Sequence, residues 1–324
     1  MKFFITGATG FIGGKLARRL VSEGHQLNAL VRDPEKASDL KSLGINLFKG
    51  DITDYKSLIE PMQRVDGVYH IAAWYKVGVK DKSQAYNINV NGTRNVLQAM
   101  KELGIRKGVY TSTLAVNSDT HGKAVDESFK FTGKHLSEYD RTKWQAHYEI
   151  ALPMMKNGLP LVVVMPGLVY GPGDTSAGGE TFKQYLQGKL PIIPSKTAYN
   201  WAHVEDIVSG HILAMEKGRK GEAYIIGGPI HPLTEAMKMA EEITGVKAPR
   251  LKMPPFAMKI SASSMGFLEK LLPVPDLYSR EMLRATAGVT YIGNNSKAVN
   301  ELGYNPRPLK MGLTETLREM MKEL

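Results

Sequence analysis

The sequence predicts an α/β fold, a doubly wound parallel sheet, from three observations. Short apolar runs alternate with longer stretches of 3.6-residue periodicity through the first half of the chain. The runs are continuously apolar, as in strands covered by helices on both faces. A glycine-rich turn joins the first apolar run to the first helical one.

Lys2-Phe3-Phe4-Ile5 suits a buried strand, and Lys15-Leu16-Ala17-Arg18-Arg19-Leu20 has helical spacing. Between them lies Thr6-Gly7-Ala8-Thr9-Gly10-Phe11-Ile12-Gly13-Gly14. Strand, glycine turn and helix together give such a motif meaning. Gly7 permits the tight turn, Gly10 lets a pyrophosphate approach the backbone, and Gly13 lets helix and strand pack closely. The phosphates would rest on free amides at the positive end of the helix. Nucleotide binding is preferred here to an ordinary glycine turn, although Gly-x-x-Gly-x-x-Gly departs from the common G-x-G-x-x-G. Thr9, Phe11 and Ile12 join the three glycines as candidate cofactor residues.

Further strands are predicted at 26–31, 45–48, 67–73, 108–111 and 161–165, with helices at 90–103 and 139–155 between them. Ligands of such sheets bind beyond the carboxyl ends of the strands, where strand order reverses. The second strand ends in Leu30-Val31-Arg32-Asp33-Pro34, where the adenosine ribose would lie. A carboxylate there suits NAD, and an arginine suits the extra phosphate of NADP. Arg32 offers a planar fork for phosphate oxygens, so NADP(H) is preferred; Asp33 leaves NAD(H) open. Asp51, after the third strand, either accepts from the adenine amino group or caps the next helix.

Tyr139 and Lys143 stand four apart in Ser137-Glu138-Tyr139-Asp140-Arg141-Thr142-Lys143 and share a helix face. A phenol titrates near 10, and a neighbouring ammonium stabilises the phenolate and lowers that value. The pair can therefore serve as a general acid/base. Ser112 and Thr113, at the end of the fifth strand, offer hydroxyls to hold a substrate oxygen beside Tyr139.

The chain has 324 residues, 43% hydrophobic and 23% charged, an ordinary globular balance that suggests roughly two domains. It has no cysteine, which excludes disulfides, thiol catalysis and Cys-ligated zinc. The net charge of +10 is scattered among acids without a run of five like charges. That pattern reads as a basic surface attracting an anionic cofactor, with no nucleic-acid partner. The apolar start stops at Thr6-Gly7, too short for a signal sequence. No stretch reaches the roughly 18 apolar residues of a membrane span, so the expectation is a cytoplasmic protein without a membrane partner.

Taken together, the motifs resemble the extended short-chain dehydrogenase/reductases, the broad family of NAD-dependent epimerases, dehydratases and dihydroflavonol-reductase-like enzymes. The matching pieces are Thr6 to Gly13, Gly50-Asp51-Ile52, His70-Ile71-Ala72-Ala73, Asn89-Val90-Asn91-Gly92-Thr93 and Tyr110-Thr111-Ser112-Thr113. Tyr139 with Lys143, Pro166-Gly167-Leu168-Val169-Tyr170-Gly171-Pro172-Gly173-Asp174 and His203-Val204-Glu205-Asp206 follow in family order. The resemblance implies a Rossmann domain at 1–167 plus 197–230 and a smaller substrate lobe at 168–196 plus 231–324. It implies that Tyr139 is the proton donor or acceptor, that Lys143 lowers its pKa and binds the nicotinamide ribose, and that Thr113, with Ser112 beside it, takes the catalytic hydroxyl position. Asp51, Ile52, Ala72, Ala73, Pro166 and Leu168 fall at cofactor positions, the last two against the nicotinamide ring. Asn89, His203 and Asp206 are implied to be structural, and no metal site is expected.

Val31-Arg32-Asp33-Pro34 and the tail from Tyr291 to Pro306 look like the dihydroflavonol-reductase branch, whose members reduce ketones or aldehydes with NADPH. The alternative is an NAD-dependent sugar-nucleotide epimerase or dehydratase. Epimerases usually carry an arginine before the His-Val-x-Asp segment, where this chain has Tyr199-Asn200-Trp201. The dehydratases' acidic pair is replaced by Leu114-Ala115. A small carbonyl substrate is therefore expected. The family also implies a homodimer built on helices 90–103 and 139–155. The Met- and Leu-rich stretch 251–275 reads as core, as the wall of an apolar pocket or as a lid, and 180–188 would join the same wall.

Overall fold

A computed structural model of the chain describes residues 1–269 and 271–324. Thirteen strands occur among them: β1 (Lys2–Thr6), β2 (Gln26–Val31), β3 (Asn46–Lys49), β4 (Gly67–His70), β5 (Gly108–Thr111), β6 (Leu161–Pro166), β7 (Leu168–Tyr170), β8 (Ile192–Pro194), β9 (Ala198–His203), β10 (Ala223–Ile226), β11 (Ile230–Pro232), β12 (Leu251–Met253) and β13 (Thr290–Tyr291). The helices that matter here are α1 (Phe11–Ser22), α2 (Thr93–Glu102), α3 (Glu138–Gln145), α4 (Ala177–Leu186), α5 (Val204–Glu216), α6 (Leu233–Thr244), α7 (Pro255–Leu268), α8 (Arg280–Thr286) and α9 (Leu309–Glu323).

Seven strands form one parallel sheet in the order β10-β6-β5-β4-β1-β2-β3. Strand order reverses between β1 and β4, where Thr6 lies opposite His70, so a ligand crevice is expected at their carboxyl ends. Side-chain alternation along β1 explains the two layers. Phe3 and Ile5 pack with Leu16, Ala17 and Leu20 of α1 and Ile207 and Val208 of α5. Phe4 packs on the opposite face with Leu58, Met62, Val96 and Leu97.

Three details differ from the sequence reading. β4 stops at His70 instead of 73, because the Thr6 hydroxyl accepts the Ile71 and Ala72 amides at 3.1 and 3.2 Å and turns the chain out of the sheet. A seventh strand of the parallel sheet, β10, pairs with β6 and was not among the predicted strands. The helices expected at 90–103 and 139–155 begin earlier and contain π-helical turns at Asn87–Gly92 and Ala146–Ala151. The second turn lies directly before Pro153, which cannot donate a helical hydrogen bond.

A third apolar cluster joins Tyr170, Phe182 and Tyr185 to Trp201, Met237, Ala240, Leu313 and Leu317. β9 carries the four-stranded sheet beside it, pairing with β11, β13 and β7. His203 accepts the Glu205 amide at 3.4 Å and caps α5, and Asp206 pairs with Arg307 at 3.0 Å.

Candidate functional site

The glycine turn makes a cradle that a larger residue would fill. Gly7 has φ +77°, and a Cβ there would lie 2.8 Å from the Ala72 nitrogen. A Cβ on Gly13 would lie 2.1 Å from the Gly7 carbonyl oxygen. Gly10 is the N-cap of α1, and no side chain caps the helix. Thr9 and Gly10 are exposed, and Phe11 and Ile12 are half-buried. An uncapped twelve-residue helix beginning over a glycine floor fits a dinucleotide diphosphate.

At the carboxyl end of β2, Val31 is buried and Arg32 is exposed. Asp33 is already engaged, accepting the Glu35 amide at 3.2 Å and facing Lys36 at 3.4 Å. Asp51 accepts the Thr53 amide at 2.9 Å and its hydroxyl at 2.7 Å through one oxygen, Oδ1. The Ile52 side chain is buried, and its carbonyl accepts Asn95 Nδ2 at 2.9 Å. Ala72 and Ala73 are half-buried just beyond β4. Pro166 closes β6, and Leu168 opens β7 across a turn at Gly167, where a Cβ would meet the Asn200 carbonyl at 2.3 Å.

The candidate chemical groups come from β5 and α3. Ser137 caps α3 by accepting the Asp140 amide at 3.0 Å. Tyr139 sits in the first turn of that helix and Lys143 one turn later. The Lys143 ammonium is 2% exposed and donates to the Thr111 carbonyl at 2.8 Å and the Tyr110 hydroxyl at 3.2 Å. Thr113, just past β5, accepts the Ala115 amide at 3.1 Å and lies beside the Tyr139 phenol. The Ser112 hydroxyl instead meets His147 Nδ1 at 2.8 Å, so Thr113 and not Ser112 adjoins Tyr139. Asn89 bonds the Trp74 backbone at both ends and Thr142, holding the loop after β4 against α3.

The electrostatics correct one expectation. Lys143 does not draw the Tyr139 pKa down. Burial pushes the phenol up to about 12, against the opposing effect of the Thr113 hydroxyl and with a smaller push from Asp140. The ammonium itself donates to Thr111 and Tyr110. Lys143 has no carboxylate partner, and burial lowers its own pKa to about 7. Burial likewise raises Asp140 to about 7, against its hydrogen bonds from Ser137 and Tyr291.

One residue without a sequence signal joins this region. Glu281, in α8, accepts the Glu138 amide at 2.7 Å and the Gly78 amide at 2.8 Å, and pairs with Lys82 at 2.9 Å. It ties α8 to the first turn of α3. A single glutamate in an unremarkable helix 143 residues downstream could not be found from spacing. The stretch 251–275 was expected as core, as a pocket wall or as a lid. Met258 and Ala262 are buried, but Phe256, Phe267, Leu268, Leu271 and Leu272 are exposed, so this stretch is not simply core. Among the described residues no group of three potential ligands could hold a metal, and no helix is long and apolar enough to cross a membrane.

Residues 3–227 match the model of the NAD-dependent epimerase/dehydratase family. A putative dihydroflavonol 4-reductase of Synechocystis sp. is 33% identical, over 97% of this chain and 93% of its own length. A ketoreductase of Stigmatella aurantiaca, named for 4-hydroxy-2-methyl-3-oxo-4-farnesyl-3,4-dihydroquinoline-1-oxide, is 29% identical over 98% of this chain and 96% of its own. The crystal structure of gox2253 superimposes with a TM-score of 0.86 at 31% identity, covering 99% of this chain and 98% of that one.

Proposed function

The chain belongs to the NAD-dependent epimerase/dehydratase family and is an enzyme, and on that premise we propose an NADPH-dependent oxidoreductase that reduces the ketone or aldehyde of a small, apolar organic molecule. The observation that carries the reading is the gathering of Thr113, Tyr139 and Lys143 at the carboxyl end of β5. The name of the Stigmatella relative, a ketoreductase of a farnesylated quinoline, supports the carbonyl and its apolar character.

Bound NADPH supplies a hydride to the carbonyl carbon. Thr113 holds the carbonyl oxygen by hydrogen bond, and Tyr139 gives that oxygen its phenolic proton, so hydride and proton together make the alcohol. With its pKa raised to about 12, the phenol is protonated at neutral pH and ready to donate. A forming alkoxide is a stronger base than phenolate, so the transfer runs downhill. Lys143 then supplies positive charge near the phenolate until a proton returns.

Arg32 supports NADP over NAD, because the carboxylate next to it is engaged with the Glu35 amide and Lys36. The sugar-nucleotide alternative lacks a cation where one would grip a diphosphate. Asn200 spends its side chain on Gly228 and Gly293, and Trp201 donates to the His231 carbonyl. The homodimer built on helices 90–103 and 139–155 is part of this proposal.

The test is NADPH titration followed by a carbonyl panel read at the nicotinamide absorbance. Tyr139→Phe is expected to bind NADPH as wild type and to lose turnover by about 10²–10⁴. Undiminished turnover in that variant would refute the reading. Tight co-purifying NAD with turnover of UDP- or GDP-sugars would favour the epimerase.

A further inference from the structure

α7 buries only one face. Met258 and Ala262 point inward, whereas Phe256, Ile260 and Phe267 are 68, 63 and 66% exposed. At 100° per residue these three lie within about 40° of one another around the helix. Leu251 on β12 and Leu271 and Leu272 beyond the helix, all exposed, extend the apolar strip. An exposed strip of this kind on a globular protein marks an interaction site.

The surroundings are cationic. Residues 247–284 contain seven Lys or Arg (Lys247, Arg250, Lys252, Lys259, Lys270, Arg280 and Arg284) against three acids, Glu269, Asp276 and Glu281. Among the described residues Lys247, Arg250, Lys252, Lys259 and Arg280 are exposed. Of the acids, Glu281 is turned inward to Gly78, Glu138 and Lys82, and Glu269 accepts the Arg280 amide at 2.7 Å. Large apolar side chains flanked by cations are the pattern of a helix lying in the headgroup region of an anionic bilayer. A second copy of the chain fits poorly, because a two-fold contact would set like-charged rims against each other.

The strip lies close to the candidate site. α7 packs tightly on α8, where a Cβ on Gly266 would meet Arg280 Cδ at 2.6 Å. A shallow pocket between Lys259, Ala262 and Ser263 of α7 and Arg280 and Arg284 of α8 reaches Leu136, next to the cap of α3. Glu281 of α8 holds the first turn of α3.

We infer that the outer face of α7 docks on an anionic lipid surface, from which the apolar carbonyl substrate reaches the cleft. The second half rests on the reductase reading; the docking does not. The experiment is co-sedimentation of the full chain with vesicles of phosphatidylcholine alone and of phosphatidylcholine mixed equally with phosphatidylglycerol, at low and high salt. Binding to the anionic vesicles is expected to be about tenfold or more tighter, since each cation near the surface adds about 1 kcal/mol, and to weaken with salt. F256S/F267S, which adds no charge, is expected to lose most of it, and F256E/I260E/F267E all of it, with thermal unfolding unchanged. A Phe256→Trp reporter should shift its emission to the blue on anionic vesicles alone. Equal binding to both vesicle types, no binding to either, or full binding by F256E/I260E/F267E overturns the proposal. So does a wild-type dimer that the triple variant dissociates, since a second copy would then cover the strip. Vesicle binding without any carbonyl turnover would leave the docking standing and remove the reductase reading.

Discussion

Lys143 holds its position at an energetic cost. An amine that titrates near 10.5 in water is brought to about 7 by burial without an acidic partner. A base whose folded pKa is depressed adds stability above the unfolded value, and that stability is lost as pH falls through the folded one, here between about 10.5 and 7. Lys143→Met is therefore expected to be as stable as wild type at pH 7 or more stable, by up to about 1–4 kcal/mol, and to flatten the rise in stability toward pH 10. Turnover should disappear in the same variant. Denaturant curves at both pH values, run beside the carbonyl assay, check the two halves separately. Arg32 poses the opposite case, an exposed cation with a task only when a ligand is present. Arg32→Ala is expected to weaken NADPH by about 10–100-fold, the loss of a charge-assisted hydrogen bond, and to leave NADH unchanged; fluorescence titration of both nucleotides measures it. Tyr139 and Lys143 were singled out through the family resemblance, and Arg32 by its place at the end of the second strand. The direction of the Tyr139 pKa was not legible in the sequence, because burial sets it, and burial belongs to the folded chain.

At the scale of elements, the glycine turn is where sequence and structure agree most closely. The αL backbone at Gly7 and the close approach of α1 to the turn are steric demands that other residues meet poorly. Gly13→Ala would press a Cβ to 2.1 Å from the Gly7 carbonyl, so α1 must move outward. A loss of about 1–3 kcal/mol is expected, together with weaker NADPH binding. Gly14→Ala, whose Cβ would lie 3.2 Å from the Ala8 carbonyl, is the milder control. Thermal melts and nucleotide titration of the two variants decide this. Other element-level features were not legible. The π-helical turns leave no periodic mark, and β10 is a strand because β6 offers it an edge, with Ala223 opposite Val163 and Ile226 opposite Pro166. Exposure of the outer face of α7 could not be read either. Its apolar residues occur at spacings that a two-sided core would equally accept, and only its place over α8 leaves one side uncovered.

Across the whole molecule, three buried histidines knit the sheet to its helices. His70 bridges Thr6 and Thr93, His147 meets Ser112, and His211 links Thr111 to the Ile207 carbonyl. Burial lowers them to about 3, 3 and 4, with Lys143 pushing the first two the same way. These bases stay neutral in the fold while the unfolded chain takes up protons near pH 6.5. Their stability is therefore complete above that value and is lost as pH falls toward about 3–4. Unfolding free energy is expected to drop by up to about 1.4 kcal/mol per pH unit for each histidine below pH 6, and His147→Asn should reduce the slope. Denaturant midpoints across pH 4–7 measure it. The sequence by itself determined the parallel α/β architecture and the glycine cradle, because strand and helix periods and a glycine's missing Cβ are local properties; the family followed from a resemblance carried by motifs in order along the chain. Only the tertiary structure decided that Ser112 turns to His147, that Glu281 anchors α3, and that Lys143 is buried without a counter-charge. Those depend on side chains far apart in the chain that meet only in the folded molecule.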